Sequence, residues 1–173
     1  MVAAAVILPK DVFIDGVNDS KKLTEKKRNI LFEKIKQVSI SYGIGIVDSK
    51  IIDEINILQA TFLAMKKALE QLTIKPNLVL VDGNHTIPDL EFKQQAIVSG
   101  DAKSACIACA SILAKVTRDN IMLEYAKQYP RYSFEKHKGY GTKAHLEAIQ
   151  KYGPCPIHRM TFAPLNSKQP EMF

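Results

Sequence analysis

Apolar positions switch between two periods along this chain, and the switches divide it into strands and helices in alternating order. Val2 to Leu8 is a short continuous apolar run closed by Pro9, which predicts a buried strand, and a loop follows through Asp19. From Leu23 to Gln37 the apolar residues Ile30, Leu31 and Ile35 fall at helical spacing among charged neighbours, the mark of an amphipathic helix. Ser39 to Val47 alternates in part through Tyr42, Ile44 and Ile46 and predicts a strand. Asp48-Ser49 caps a short helix through Ile55, and Leu58 to Leu72 forms a longer one with Phe62, Met65 and Leu69 as its apolar stripe. Leu78 to Asp82 and Gln95 to Val98 are the remaining strands. A long helix follows over Lys103 to Tyr129, ending before Pro130, and another over Lys143 to Tyr152, stopped by Gly153-Pro154.

That order places two acids at comparable points. Asp82 ends the run Leu78-Val79-Leu80-Val81, and Asp101 follows Ala96 to Val98 just ahead of a helical pattern. Ligands of open α/β sheets bind outside the carboxyl ends of strands. Two carboxylates held together there repel one another, and a divalent cation with hard oxygen ligands, Mg²⁺ or Mn²⁺, relieves the repulsion. Each acid also has a plain structural reading. Asp82 with Gly83 can simply make a turn, and Asp101 can cap a helix beginning near Ala102 or Lys103.

A second candidate region is Lys136-His137-Lys138-Gly139-Tyr140-Gly141-Thr142-Lys143. An aromatic ring flanked by cations can lie against a sugar or base while the cations meet phosphates, although a solvated loop with an incidental Tyr has the same composition. Cys106 and Cys109 form a Cys-x-x-Cys without a second pair, within a run of small residues, and read as core packing rather than a zinc or redox site. Arg118 with Asp119 reads as a structural ion pair or a substrate contact, and His85 and His158 as loop or surface residues. The formal charge of +6 favours polyanionic partners through counterion release. With 173 residues the chain reads as one domain, with Asn166 to Phe173 a frayed tail. The absence of a long apolar segment and of a basic lead-in before Val2 argues against a membrane span or signal peptide, and three cysteines argue against a disulfide framework. A cytoplasmic, monomeric protein is the resulting expectation.

Segments along nearly the whole chain resemble bacterial ribonuclease HII in family order. Val2 to Pro9, Asn18-Asp19-Ser20-Lys21-Lys22-Leu23-Thr24, Tyr42 to Gly45, Asp53 to Thr61, Val81-Asp82-Gly83-Asn84 and Gly100-Asp101-Ala102-Lys103-Ser104 all match. Ala110 to Asp119, His137 to Thr142 and Gly153-Pro154-Cys155-Pro156-Ile157-His158-Arg159 complete the set. The resemblance implies an α/β, ribonuclease H-like mixed sheet flanked by helices, with a helical C-terminal part. It implies hydrolysis of the RNA strand of RNA–DNA hybrids, including ribonucleotides embedded in duplex DNA, by two Mn²⁺ or Mg²⁺ ions, leaving 5′-phosphate and 3′-hydroxyl ends. Asp82 and Asp101 would be the catalytic metal ligands. Tyr140 would stack on the sugar at a DNA-to-RNA junction, with His137, Lys138, Gly139, Lys21 and Lys22 near the substrate.

One family feature has no counterpart. Family members begin with a strand carrying an Asp-Glu pair and Ala-Gly-Arg-Gly, ahead of the segment matching Val2 to Ala5. That strand would lie mid-sheet, and its absence leaves unpaired backbone groups on both sides, costly at roughly 1–3 kcal/mol for each buried group. The expectation is therefore a shortened reading of a longer protein from which the first, central strand is missing, impaired or inactive as it stands. The alternative is a pseudoenzyme or fragment that binds hybrid without cutting it.

Overall fold

Residues 1–17 and 23–166 are described by the computed structural model. Lys21, Lys22 and all of the expected tail beyond Asn166 lie outside the described residues.

Strand β1, Val2–Ile7, pairs antiparallel with β2, Ser41–Ile46, from Val2 opposite Ile46 to Ile7 opposite Ser41. Strand β3, Val79–Asp82, pairs parallel with β4, Gln94–Ile97. Both strand directions expected of a mixed sheet are present, but as two separate two-stranded sheets. Between β1 and β3 runs an apolar groove of about 610 Å³, lined by both strands together with Thr61, Met65 and Leu69 from one side and Ile107, Ala110 and Ala114 from the other.

Helices cover both faces of the β1–β2 pair. Alternation along β1 sends Ala3 into a cluster with Ile52, Ala60 and Ala64 of α2, Ser49–Glu70, while Ala4 and Val6 join the opposite cluster. That second cluster joins Leu31 and Ile35 of α1, Glu25–Val38, to Cys109, Ile112, Leu113 and Val116 of α3, Ala105–Gln128. Cys109 is fully buried and Cys106 half-buried, as core packing requires, and burial pushes the Cys109 thiol up to about 12.

Glycine sets the approach of α2. A Cβ at Gly43 would lie 2.0 Å from the Ala68 carbonyl oxygen, and one at Gly45 would lie 1.9 Å from that of Ala64. The helix therefore rests directly on the strand backbone, with Ala64 and Ala68 wholly buried between them. The break expected after Ile55 is real. Asn56 adopts φ 65° and its side chain accepts from the amides of Leu58 and Gln59, capping the second half of α2. Asp48 caps the first half through the Ile51 amide.

After α3 the chain makes a 3₁₀ turn, Pro130–Tyr132, a one-turn helix α4, Phe134–His137, and α5, Lys143–Tyr152, capped by Thr142. Tyr132, Phe134, Ile149 and Cys155 form their common core. Asp53 of α2 holds the last segment by accepting from the Met160 and Thr161 amides at 2.7 and 3.0 Å and from the Thr161 hydroxyl at 2.6 Å. Among the described residues no helix is long and apolar enough to cross a membrane.

Gly45→Ala should cost about 2–3 kcal/mol by overpacking, roughly 5–10 °C in thermal midpoint for a domain this size. Gly141→Ala, where a Cβ meets nothing within 4 Å, should leave the midpoint unchanged. Differential scanning calorimetry of the two variants checks this.

Candidate active site and nucleic-acid interface

The first grouping forms where β3 ends. Asp82 is exposed, and its Oδ1 accepts from the Gly100 amide at 2.8 Å. Gly100 is the first residue of a 3₁₀ turn, Gly100–Ala102, that contains Asp101, so this bond ties the two acid-bearing segments together. The turn needs glycine. A Cβ on Gly100 would lie 2.5 Å from Ile107 Cδ1 and 3.2 Å from Asp82 Oδ1. Ser99 enters the turn at φ 55°, a left-handed conformation that costs a non-glycine residue roughly 1–2 kcal/mol. Asp101 is not a helix cap: α3 starts later, at Ala105, behind Ser104.

Asp82 and Asp101 bear carboxylates, hard oxygen donors of the kind that Mg²⁺ and Mn²⁺ prefer. Among the described residues no group of three or more His, Cys, Asp or Glu side chains is arranged to hold a metal ion.

The second grouping lies farther along α3, whose residue Lys115 stands about 15 Å from Ala105 along the helix axis at 1.5 Å per residue. Tyr140 is 53% exposed, with the Arg118 guanidinium 4.6 Å and the Lys115 ammonium 5.2 Å from its ring centre. Lys115 Nζ also reaches the Tyr140 hydroxyl at 3.4 Å. Asp119 organises both cations. It is 8% exposed, accepts from Lys115 at 2.8 Å and lies 3.7 Å from Arg118 and 4.0 Å from Arg28 of α1. Arg118 is thus both an ion-pair partner and part of the platform under the tyrosine.

The loop bearing Tyr140 is held through its backbone. Lys138 at φ 50° and Gly139 at φ 76° turn the chain, and the Lys138 carbonyl accepts from Arg118 at 2.9 Å. Lys138 Nζ donates to the Glu135 carbonyl. His137, expected beside the substrate, is instead buried and uses both ring nitrogens inside the protein. Its Nε2 bonds to the Tyr132 carbonyl at 2.7 Å and its Nδ1 accepts from the Gly139 amide at 3.2 Å. It shapes the loop and does not meet the solvent face. His158 lies on a loop as expected, half-buried, with its Nε2 3.1 Å from that of His145. His85 is exposed on its loop.

Lys115 and His145 are functional candidates that residue patterns alone miss. The i,i+4 spacing of Lys115 and Asp119 was the available signal for the first, whereas only the folded chain brings either of them to Tyr140.

Mixed-direction strand pairs under flanking helices, with one acid at a strand end and a second in the turn hydrogen-bonded to it, define a ribonuclease H-like α/β protein. The ribonuclease H2 of Pyrococcus horikoshii superposes with a TM-score of 0.70 at 28% identity, covering 95% of each chain. The ribonuclease HII in the PCNA complex from Archaeoglobus fulgidus superposes at 0.67 with 22% identity, covering 84% of this chain and 77% of that one, and shares the fold. The family model described as ribonuclease HII matches residues 1–165. A ribonuclease HII from Endomicrobium trichonymphae is 64% identical over 96% of this chain and 79% of its own length, and one from Caldicellulosiruptor bescii 62% identical over 92% and 77%. The chain belongs to the ribonuclease HII family, which makes it a hydrolase of the ribonuclease H type.

Replacing Asp119 with Asn should leave the Lys115 and Arg118 cations without their carboxylate. A loss of about 1.5–3 kcal/mol is expected, in keeping with a hydrogen bond to a charged group, and urea unfolding measures it.

Proposed function

We propose that this protein cleaves the RNA strand of RNA–DNA hybrids, including single ribonucleotides embedded in duplex DNA. The observation that carries the reading is the exposed Tyr140 ring on its Lys115–Arg118 platform, set on the same helix that begins behind the Asp82–Asp101 turn. An exposed aromatic face suits stacking on a sugar or base, and the adjoining cations suit the flanking phosphates. Discrimination of RNA then rests on the 2′-hydroxyl at the stacked position.

Asp82 and Asp101 would hold divalent ions, Mn²⁺ or Mg²⁺, together with carboxylates borne on a further strand. When bound, such ions supply an activated water and stabilise the departing 3′-oxygen. The Asp82–Gly100 bond fixes one carboxylate against the other's turn, and the glycine keeps the approach open. Attack of water on the phosphorus with cleavage of the P–O3′ bond would leave 5′-phosphate and 3′-hydroxyl ends. The groove between β1 and β3 is where the further strand would pair: both of its walls are strand edges, and helices line it from two sides. Lys21, Lys22 and Lys138 would meet the substrate backbone. The protein would act as a single-domain, cytoplasmic monomer.

Because the described chain offers only Asp82 and Asp101 at this turn, a second reading is that it binds hybrid without cutting it. Both readings require Tyr140. Stacking is worth about 1–3 kcal/mol per base, so Tyr140→Ala should weaken binding of a 5′-DNA–RNA-3′ junction in EDTA by roughly 5- to 150-fold. Binding to all-DNA duplex should change little. Equal affinity of the variant and the parent for the junction, by fluorescence anisotropy, would remove Tyr140 from the account.

A further inference from the structure

Three imidazoles lie directly behind the Tyr140 loop, and their hydrogen bonds admit one arrangement of protons. His145 Nδ1 is 2.9 Å from the Tyr140 carbonyl, which only accepts, so Nδ1 carries the hydrogen. The neutral ring then presents Nε2 as an acceptor, facing His158 Nε2 at 3.1 Å, and His158 must donate there. His158 Nδ1 is left as an acceptor for the Cys155 amide at 2.9 Å. The result is a directed chain, Cys155 N–H to His158, His158 to His145, His145 to the carbonyl of Tyr140.

His137 works in parallel. It stacks on His145 with ring centres 4.5 Å apart at 19°, accepting from the Gly139 amide and donating to the Tyr132 carbonyl. Phe134, 1% exposed, contacts all three rings, with centres 5.5–5.8 Å away. The loop closes its own side with the Tyr140 amide donating to the His137 carbonyl and the Thr142 amide donating to Tyr140, at 2.9 and 2.8 Å.

We propose that His145 is a positioning residue for Tyr140: the His158–His145 relay and the parallel His137 bond fix the backbone on both sides of the tyrosine and hold its exposed ring at the height needed to read a ribonucleotide junction. The proposal rests on the reading of Tyr140 as the stacking residue. It goes beyond that reading in assigning the buried histidines to loop geometry, with neither a catalytic nor a substrate-contact role.

The arrangement depends on neutral rings. A proton added at His145 Nε2 would face the His158 N–H. Relief requires His158 to turn its proton to Nδ1, toward the Cys155 carbonyl at 3.2 Å, and the Cys155 amide then loses its acceptor. Burial, reinforced by the neighbouring His137 and His158, lowers the affinity of His145 for a proton below the ordinary imidazole value against the raising effect of the Tyr140 carbonyl. Burial lowers His158 likewise. Arg118 of α3 and Arg159 line the same cavity, together with Asp48 at the start of α2. Because both folded-state values are depressed, the relay's contribution to stability is full above the unfolded value of about 6.5 and falls below it, and the relay itself is lost as pH drops through the lower folded values.

The test uses the full chain without metal. Hydrogen exchange of the Gly139, Tyr140 and Thr142 amides reads the loop, and anisotropy reads the affinity ratio of a one-ribonucleotide duplex to its all-DNA counterpart. His145→Phe keeps the ring's shape but lacks the donor, and should speed exchange at least tenfold and reduce the affinity ratio at least fivefold. His145→Asn, whose Nδ2 can stand in for Nδ1, should stay near the parent at pH 7.5. Titrating the parent downward through the depressed folded-state values should move it toward His145→Phe. If His145→Phe does not fold, His158→Leu breaks the relay one ring earlier and should give the same two changes. Unchanged loop exchange in the folded variant overturns the proposal, and so does faster exchange with an unchanged affinity ratio. A parent that prefers neither duplex overturns the functional reading, while the exchange data still decide the loop's dependence on His145.

Discussion

The Asp119 carboxylate is the interaction on which the interface depends. Buried in α3, it draws in Lys115 and Arg118 from its own helix and Arg28 from α1, and so joins core packing to the platform beneath Tyr140. A buried carboxylate among cations is stable only while those partners stay in place. The same helix packs its Cys109, Ile112 and Val116 against β1 and α1, and begins directly after the Asp101 turn. One rigid rod therefore sets the spacing between the acid turn and the aromatic platform, and neither grouping can move without disturbing the core.

The second constraint is the pair of strand edges across the apolar groove. Backbone amides and carbonyls that find no partner in a low-dielectric setting are costly, and strand edges are templates for another strand. Here the edges of β1 and β3 line one groove whose other walls are α2 and α3 side chains. A strand seated there would turn two small sheets into one and would run beside Asp82. In the proposed reading, one added strand would both pair these edges and bring further carboxylates beside Asp82.

Much of this was legible in the sequence because local periodicity carries it. The α5 helix falls on Lys143–Tyr152 as its caps predict, the break in α2 falls at Asn56, and β1 follows its apolar run. Strand ends moved by one or two residues, as at β2, where pairing with β1 rather than alternation sets the limits. The one-turn helix α4 was invisible, being too short for a period and fixed by Phe134 in the C-terminal core. The acid pair could be proposed from two strand ends, but not the Gly100 bond that ties them. Lys115 meets Tyr140 and His145 meets His158 across loops that no periodicity encodes, while His137 turns inward on local bonds to Tyr132 and Gly139. His137 illustrates the limit: in a loop rich in cations and glycine it reads as a substrate contact, and burial makes it a brace.

In the proposed function, Asp82 and Asp101 would hold divalent ions together with carboxylates on a strand seated between β1 and β3. The most direct measurement is cleavage of a duplex containing one ribonucleotide, in Mn²⁺ and in Mg²⁺, by the 173-residue chain and by a version extended with an N-terminal Asp-Glu strand. The account predicts cleavage by the extended version alone, abolished by Asp82→Asn or Asp101→Asn. Cleavage by the 173-residue chain itself would contradict it and require other residues to complete the site.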